Sequence, residues 1–246
     1  GNGSAANDPA DDICGNARDG AAPDIGSSEE VASCDALDIV VNSSADNTTA
    51  GDGNCTLREA ILNANAGSDL TGGDCNCGEN ITFSVSNVNL TSALPSATAN
   101  MNMNAGGSTV TIDATGIGGN LCVISNTSEV TMENIIWQNG TGSCFNLLGR
   151  LIATNCVWQG FTGTAIAGSF VGLSGQVITF DQCTFRDCGR GINLPKGETV
   201  ITNSTFYNLT GGVNGVAVRA ANNTGKLTMT NVTITGFDAG SGTDGA

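Results

Sequence analysis

Five octets in the second half of the chain align without gaps. They are Val130–Trp137 (VTMENIIW), Leu151–Trp158 (LIATNCVW), Ile178–Phe185 (ITFDQCTF), Thr199–Phe206 (TVITNSTF) and Leu227–Ile234 (LTMTNVTI). Their starts lie 21, 27, 21 and 28 residues apart, and a further copy reads at Val110–Ile117 (VTIDATGI). A constant unit at a variable spacing is what a solenoid shows when one side of each turn changes length.

The octet has an internal break. Positions one and three are apolar in most copies (Val130/Met132, Leu151/Ala153, Ile178/Phe180, Leu227/Met229). Positions six and eight are apolar after them (Ile135/Trp137, Cys156/Trp158, Cys183/Phe185, Val232/Ile234). A straight strand keeps odd positions on one face. The switch from odd to even therefore requires a bend at positions four and five. Position five is an amide in all five copies: Asn134, Asn155, Gln182, Asn203 and Asn231. Asn tolerates the left-handed conformation and hydrogen-bonds locally. Stacked turns would join these amides in a ladder, as in other stacked strands. A third apolar run follows each of the first four octets: Cys144–Leu148, Thr164–Ala167, Gly191–Leu194 and Gly215–Val218. Three short strands per 21–28 residues predict an all-β parallel β-helix. A β-sandwich would show turn signals every 8–12 residues, and a propeller blade needs about 40–45.

The two ends of the chain differ in charge. Residues 1–80 carry 15 acids against two bases, and residues 81–246 carry eight against six, within a net charge of −15. Such acidity argues against a nucleic-acid partner, which needs clustered Lys and Arg. No run of 18 apolar residues exists, so no membrane insertion is expected. The absence of histidine excludes imidazole catalysis and His-ligated metals. The chain opens GNGSAAND, with no apolar leader, and reads as processed or excerpted. Residues 1–36 read as an acidic irregular arm or linker. Residues 37–246 read as one β-helix domain, with a capping region at 37–80 and coils at 81–246. Within the capping region, Leu57–Asn65 is the one helix-like stretch, with Thr56 and Glu59 forming a capping box and Gly67 a stop.

Ten cysteines without metal-type spacing point to disulfides in an oxidising compartment, hence an extracellular location. Cys14 and Cys34 would staple the arm, and Cys55 and Cys75 are further candidates. Cys122 with Cys144, and Cys156 with Cys183, would stack on neighbouring turns. The first of these pairs is expected to bond and the second to stay as inward thiols.

The string Asp52-Gly53-Asn54-Cys55-Thr56-Leu57-Arg58-Glu59-Ala60-Ile61, followed by Ala64-Asn65, resembles the signature of CSLREA-domain proteins, with Thr56 in place of their Ser. The lead-in Asp38–Asp46 and the run Ile81-Thr82-Phe83 are similar to that family's first strands. The resemblance covers residues 37–130. It implies a secreted or surface-displayed protein with a right-handed parallel β-helix, similar to pectate lyases and adhesin passengers. It also implies that the helix covers the open N-terminal end. It carries no catalytic residues.

The acids of the coils are the candidates for chemistry. Glu133 and Asp181 share octet position four but are separated by Thr154. Arg186, Arg190, Asp181 and Asp187 look like a surface ion-pair cluster, and Arg186, Arg190 and Asp187 are the residues a lyase would use. Calcium is the one cofactor to weigh, on Asp8, Asp11, Asp12, Asp46 and Asp52, although no EF-hand spacing accompanies them. The expectation is a non-enzymatic extracellular protein with a structural or adhesive role at the cell surface. It would self-associate head to tail, because the last coil has no cap. The alternatives are a glycan-binding module and, below it, a polysaccharide lyase or hydrolase.

Overall fold

The computed structural model describes residues 38–168, 177–194, 197–210, 217–220 and 226–236. The arm at 1–36, with Asp8, Asp11, Asp12, Cys14 and Cys34, lies outside the described residues.

Three parallel sheets wrap one core. The first contains β1 (Ile39–Val41), β2 (Asn80–Phe83), β4 (Met101–Asn104), β7 (Glu129–Glu133), β10 (Arg150–Thr154), β13 (Val177–Asp181), β16 (Glu198–Thr202) and β19 (Lys226–Thr230). The second contains β3 (Asn87–Asn89), β5 (Val110–Asp113), β8 (Ile135–Gln138), β11 (Val157–Gln159), β14 (Thr184–Arg186), β17 (Thr205–Tyr207) and β20 (Thr233–Thr235). The third contains β6 (Asn120–Ile124), β9 (Ser143–Leu147), β12 (Thr164–Gly168), β15 (Arg190–Leu194) and β18 (Val218–Ala220). From β4 onward the chain visits the sheets in turn, and every strand pairs with its equivalent one turn away. Among the described residues, five turns contain all three strands, from β4–β6 to β16–β18. The described residues form an all-β parallel solenoid with one short helix among them.

The octet spans the first corner: strand, pivot, strand. All five position-five amides have positive φ, between 50° and 61°, which rotates the chain from the first sheet into the second. The copy read at Val110–Ile117 is out of register. Val110 pairs with Ile135 and Ile112 with Trp137, so this run matches octet positions six to eight. The counterpart of the octet's first strand is β4, where Met101 pairs with Val130 and Met103 with Met132. Residues 105–109 lengthen the corner of that turn, and a gapless alignment slips across them. The last of the four third-sheet strands also lies later than the run at Gly215–Val218, as β18, where Val218 pairs with Ile192.

Inward side chains stack in columns. Trp137, Trp158, Phe185 and Phe206 share octet position eight and are fully buried. Trp158 lies 4.8 Å from Phe185 at 7°, and Phe185 lies 4.7 Å from Phe206 at 4°. Phe180 meets both Trp158 and Phe185 edge-on. Offset or edge-on rings contribute beyond their buried area. The approach to the third-sheet strands requires glycine. A Cβ on Gly142 would lie 2.0 Å from the Gly119 carbonyl oxygen, and one on Gly163 2.7 Å from that of Gly142.

The helix α1 (Leu57–Ala66) begins with a complete capping box between Thr56 and Glu59 and ends at Gly67 with φ 60°. Leu57, Ala60, Ile61 and Ala64 bury its inner face in the core beside β1. Its far side is tied to the second turn: Arg58 donates to the Ser92 and Ala93 carbonyls, and Asn65 donates to the Ser96 carbonyl. A Cys55–Cys75 disulfide fastens the segment before the helix to the segment after it. Cys77 is disulfide-bonded as well.

Truncating the column tests it. Trp158→Ala should lower unfolding free energy by about 3–5 kcal/mol, the range for large aromatic truncations in a packed core. Urea unfolding followed by circular dichroism measures it; an unchanged midpoint would refute the packing.

Candidate functional site

The outward side chains at the corners are bonded along the solenoid axis. Asn134 Nδ2 donates to the Gly106 carbonyl, and Asn155 Nδ2 donates to Asn134 Oδ1 at 2.6 Å. The ladder then breaks. Gln182 has one more methylene, and its amide turns aside to its neighbour Asp181 at 3.2 Å. Asp181 takes over as acceptor: Asn203 Nδ2 reaches its Oδ1 at 2.9 Å, and Asn231 Nδ2 continues to Asn203 Oδ1 at 2.7 Å. The expected five-membered ladder is thus two separate segments, Asn134–Asn155 and Gln182–Asn203–Asn231, the second built on the Asp181 carboxylate.

A second corner lies two residues beyond each octet, at Asn139, Gly160, Asp187, Asn208 and Gly236. All five have positive φ, from 51° to 69°. Sequence reasoning missed this column, although its signal was present: every residue is Asn, Asp or Gly, the types that tolerate this conformation. Asn139 donates to Asp113 at 2.9 Å, and Asn208 donates to Asp187.

Between the corners, the outer face of the second sheet carries a continuous polar row. Gln138 Nε2 donates to Asp113 Oδ2, Gln159 Nε2 to Gln138 Oε1, and Arg186 Nε to Gln159 Oε1, each at 2.7 Å. Arg186 Nη1 then donates to the Tyr207 hydroxyl at 2.9 Å. These bonds decide what the acids can do. Burial pushes the Asp113 carboxyl up, but the bonds it accepts from Thr115, Gln138 and Asn139 outweigh this and hold it below the usual range. Thr202, Asn203 and Gln182 likewise hold Asp181 down. Acids held ionised in this way are poor proton donors.

The expected cluster of Arg186, Arg190, Asp181 and Asp187 does not form. Arg186 is engaged with Gln159 and Tyr207, Asp187 accepts from Asn208, and Arg190 opens β15 on the third sheet. The ion pairs among the described residues are elsewhere: Arg58–Asp46, Arg150–Glu129 and Lys226–Glu198. Glu133 and Asp181 do flank Thr154 on neighbouring strands. Asn104 donates to Glu133.

Of the calcium candidates, Asp46 is committed to protein partners. Its side chain is fully buried and forms a two-pronged pair with Arg58 at 2.8 and 2.9 Å. Thr91 donates to it from both backbone and hydroxyl. Asp52 caps the Asn54 N–H at 2.9 Å, and its own N–H binds Asp74. Among the described residues, no group of three or more His, Cys, Asp or Glu side chains converges to hold a metal.

The thiols correct another expectation. Cys122 and Cys144 are both free and buried. Cys122 stands opposite Phe145, not Cys144, so the two lie one position out of register. Cys156 and Cys183 occupy adjacent turns as buried free thiols, as expected for that pair, and Cys188 is a fifth. Burial pushes the Cys122 and Cys156 thiols up to about 12 and Cys188 up to about 11. It also raises Cys144 and Cys183.

A shallow groove of about 380 Å³ opens on the outer face of the first sheet. It is lined by Asp38, Asn80, Thr82, Phe83, Asn102 and Asn104. Phe83 lies on the inward side of β2, opposite Val41; it packs against the core and only part of it borders the groove. Asn102 donates to Asn80 at 3.4 Å and accepts from Thr131 at 2.7 Å, so each amide keeps unused capacity facing out. An apolar ring beside convergent amides, a hydroxyl and one carboxylate suits a neutral, hydroxyl-rich ligand. These residues precede the octets, where no repeat drew attention to them. Comparison of the chain with protein-family models gives no match, and comparison with curated proteins gives none either.

Two consequences can be measured. Arg58→Ala would strand the buried Asp46 carboxylate and should cost about 3–5 kcal/mol, as for other broken buried pairs. Burial raises the Asp46 carboxyl, but the bonds from Arg58 and Thr91 and the Arg58 charge bring it below its ordinary value. The stability it contributes is therefore present above the ordinary carboxylate range of about 3.9. It should be lost as pH falls through the depressed value, and Arg58→Ala should flatten that acid limb in urea titrations.

The thiols behave in the opposite sense. Their folded values lie above the unfolded value of about 8.5. The unfolded chain therefore sheds these protons first, and stability should fall as pH rises from about 9 towards 12. At about pH 8, peptides containing the five free thiols should resist maleimide in the native protein and label fully in denaturant. Native labelling of Cys122 or Cys144 would contradict their burial.

Proposed function

We propose that this chain is a structural or adhesive module of an extracellular or cell-surface assembly, built to hold a face rigid rather than to perform a reaction. The observation that carries this reading is the outer polar row from Asp113 to Tyr207. Its carboxylate, amides and guanidinium are bonded to one another along the axis, an arrangement that stiffens a rod and withholds the groups a catalyst would use. The Cys55–Cys75 disulfide supports an oxidising location. The resemblance of residues 52–65 to the CSLREA signature supports secretion or surface display.

Glycan binding is the second reading, favoured by the groove around Phe83. A sugar would set its hydroxyls on Asn80, Asn102 and Asn104 and an edge against the part of Phe83 that borders the groove. Affinity electrophoresis in gels containing neutral polysaccharides tests both readings. A bound polysaccharide should retard the protein, and Phe83→Ala should weaken binding about ten-fold, the equivalent of about 1.4 kcal/mol. Migration unaffected by every gel would leave the structural reading and remove the glycan one. Pectin and alginate should show neither viscosity loss nor an ultraviolet-absorbing product; release of unsaturated product would overturn the non-enzymatic reading.

A further inference from the structure

The groove on the first sheet continues past the end of the strands. A second hollow, of about 170 Å³, adjoins it, and Phe83 and Ala105 border both. Its other walls come from two corners: Ser84 and Ser86 between β2 and β3, and Ser108 and Thr109 between β4 and β5. The length of these corners makes the hollow. One residue, Asn134, joins β7 to β8, whereas residues 84–86 and 105–109 make the same connection in the two turns before it. A one-residue pivot leaves no room beside it, and the longer connections leave a space between them.

The two hollows share a chemistry. Asn80, Thr82 and Asn102 bring amides and a hydroxyl to the first, and four hydroxyls surround the second. Ser84 donates to the Val41 carbonyl at 3.3 Å. The hydroxyls of Ser86, Ser108 and Thr109 bond to no other described residue, and all three residues are exposed. Among the described residues that line the hollows, Asp38 is the one acid, and there is no Lys or Arg. An anionic ligand would meet a like charge there and no counter-charge.

We infer that the two hollows are successive subsites for one linear, uncharged glycan, which lies along the strands and crosses the first corner. This rests on the glycan reading above and adds that a chain, rather than a terminal sugar, is recognised. Two arguments favour a chain. From Asn102 to Asn104 the backbone of β4 advances about 7 Å, and Ser108 and Thr109 lie beyond that strand. One sugar ring held by the amides therefore leaves the second hollow unfilled. Both hollows are also shallow, so each leaves one face of a ring in water. Affinity must then come from several units of one chain, the second held at the high effective concentration that the first sets.

Calorimetric titration of the full chain with cello-, laminari-, manno- and xylo-oligosaccharides of one to six units tests the subsites. In at least one series, affinity should rise about ten-fold or more between one unit and three, then level off. Ser108→Leu combined with Thr109→Leu fills the second hollow and removes two of its hydroxyls. Both residues are exposed, so the fold should persist by circular dichroism while the gain with length disappears. Asn102→Ala should weaken binding at every length. Thr184→Glu, on the outer face of β14, should change none of these affinities. Three units bound no more tightly than one, or a gain that survives the double variant, would overturn the inference and leave the glycan reading standing. Oligogalacturonates bound more tightly than every neutral series would overturn the assignment to uncharged chains. No binding in any series would remove the glycan reading and the inference with it.

Discussion

The structure depends on a backbone conformation that side chains usually avoid. Among the described residues, eight other than glycine have positive φ: Asn134, Asn139, Asn155, Gln182, Asp187, Asn203, Asn208 and Asn231. All eight lie on the first and second corners. Left-handed backbone costs about 1–2 kcal/mol per residue for most side chains, and Asn and Asp lower that cost by bonding locally. Here they bond along the axis as well, to the equivalent corner one turn away. The conformation that turns the chain therefore also presents the group that holds the next turn in register. Register matters because a slip of one residue would move every inward side chain to the outside. Trp158 would leave the stack with Phe185, and Gln159 would point into the core.

This explains which parts of the fold were legible. The first corner could be read because its pivot is an amide in every octet and the apolar period changes phase across it. The second corner obeys the same physics, but it mixes Asn, Asp and Gly and lies two residues outside the octet. The slip at Val110–Ile117 arose because residues 105–109 expand one corner, while Met101 and Met103 keep the inward positions of that turn. The third sheet was hardest to read. In β6, β9 and β15, two consecutive residues are buried, such as Leu121 with Cys122 and Cys144 with Phe145. Period-two reasoning has no place for such pairs, so counting residues between Cys122 and Cys144 aligned them one position off. The glycine corner preceding these strands, where Gly142 and Gly163 touch the carbonyls of the turn before, has no apolar pattern to reveal it.

The candidate site was less legible than the fold for a related reason. Sequence shows which acids and bases exist, but not how their hydrogen-bonding capacity is spent. Asp46 looked like an oxygen ligand and is a buried partner of Arg58. Arg186 looked like a base beside Asp187 and instead bridges Gln159 and Tyr207. In a solenoid each outward position has equivalents one turn above and one turn below, about 4.8 Å away, so polar side chains find one another before they find a ligand.

That reasoning also locates where the protein can still interact. Ladders satisfy polar groups only where the same type of position repeats. They fail where the column is incomplete. Among the described residues, Asn80, Asn102 and Asn104 lie beside Phe83 without a full column above and below them, and a groove remains. From Asp113 to Tyr207 the column is complete, and its internally bonded surface offers little to any other partner. Polar capacity left unspent, rather than the mere presence of polar residues, therefore marks where this solenoid can hold a ligand.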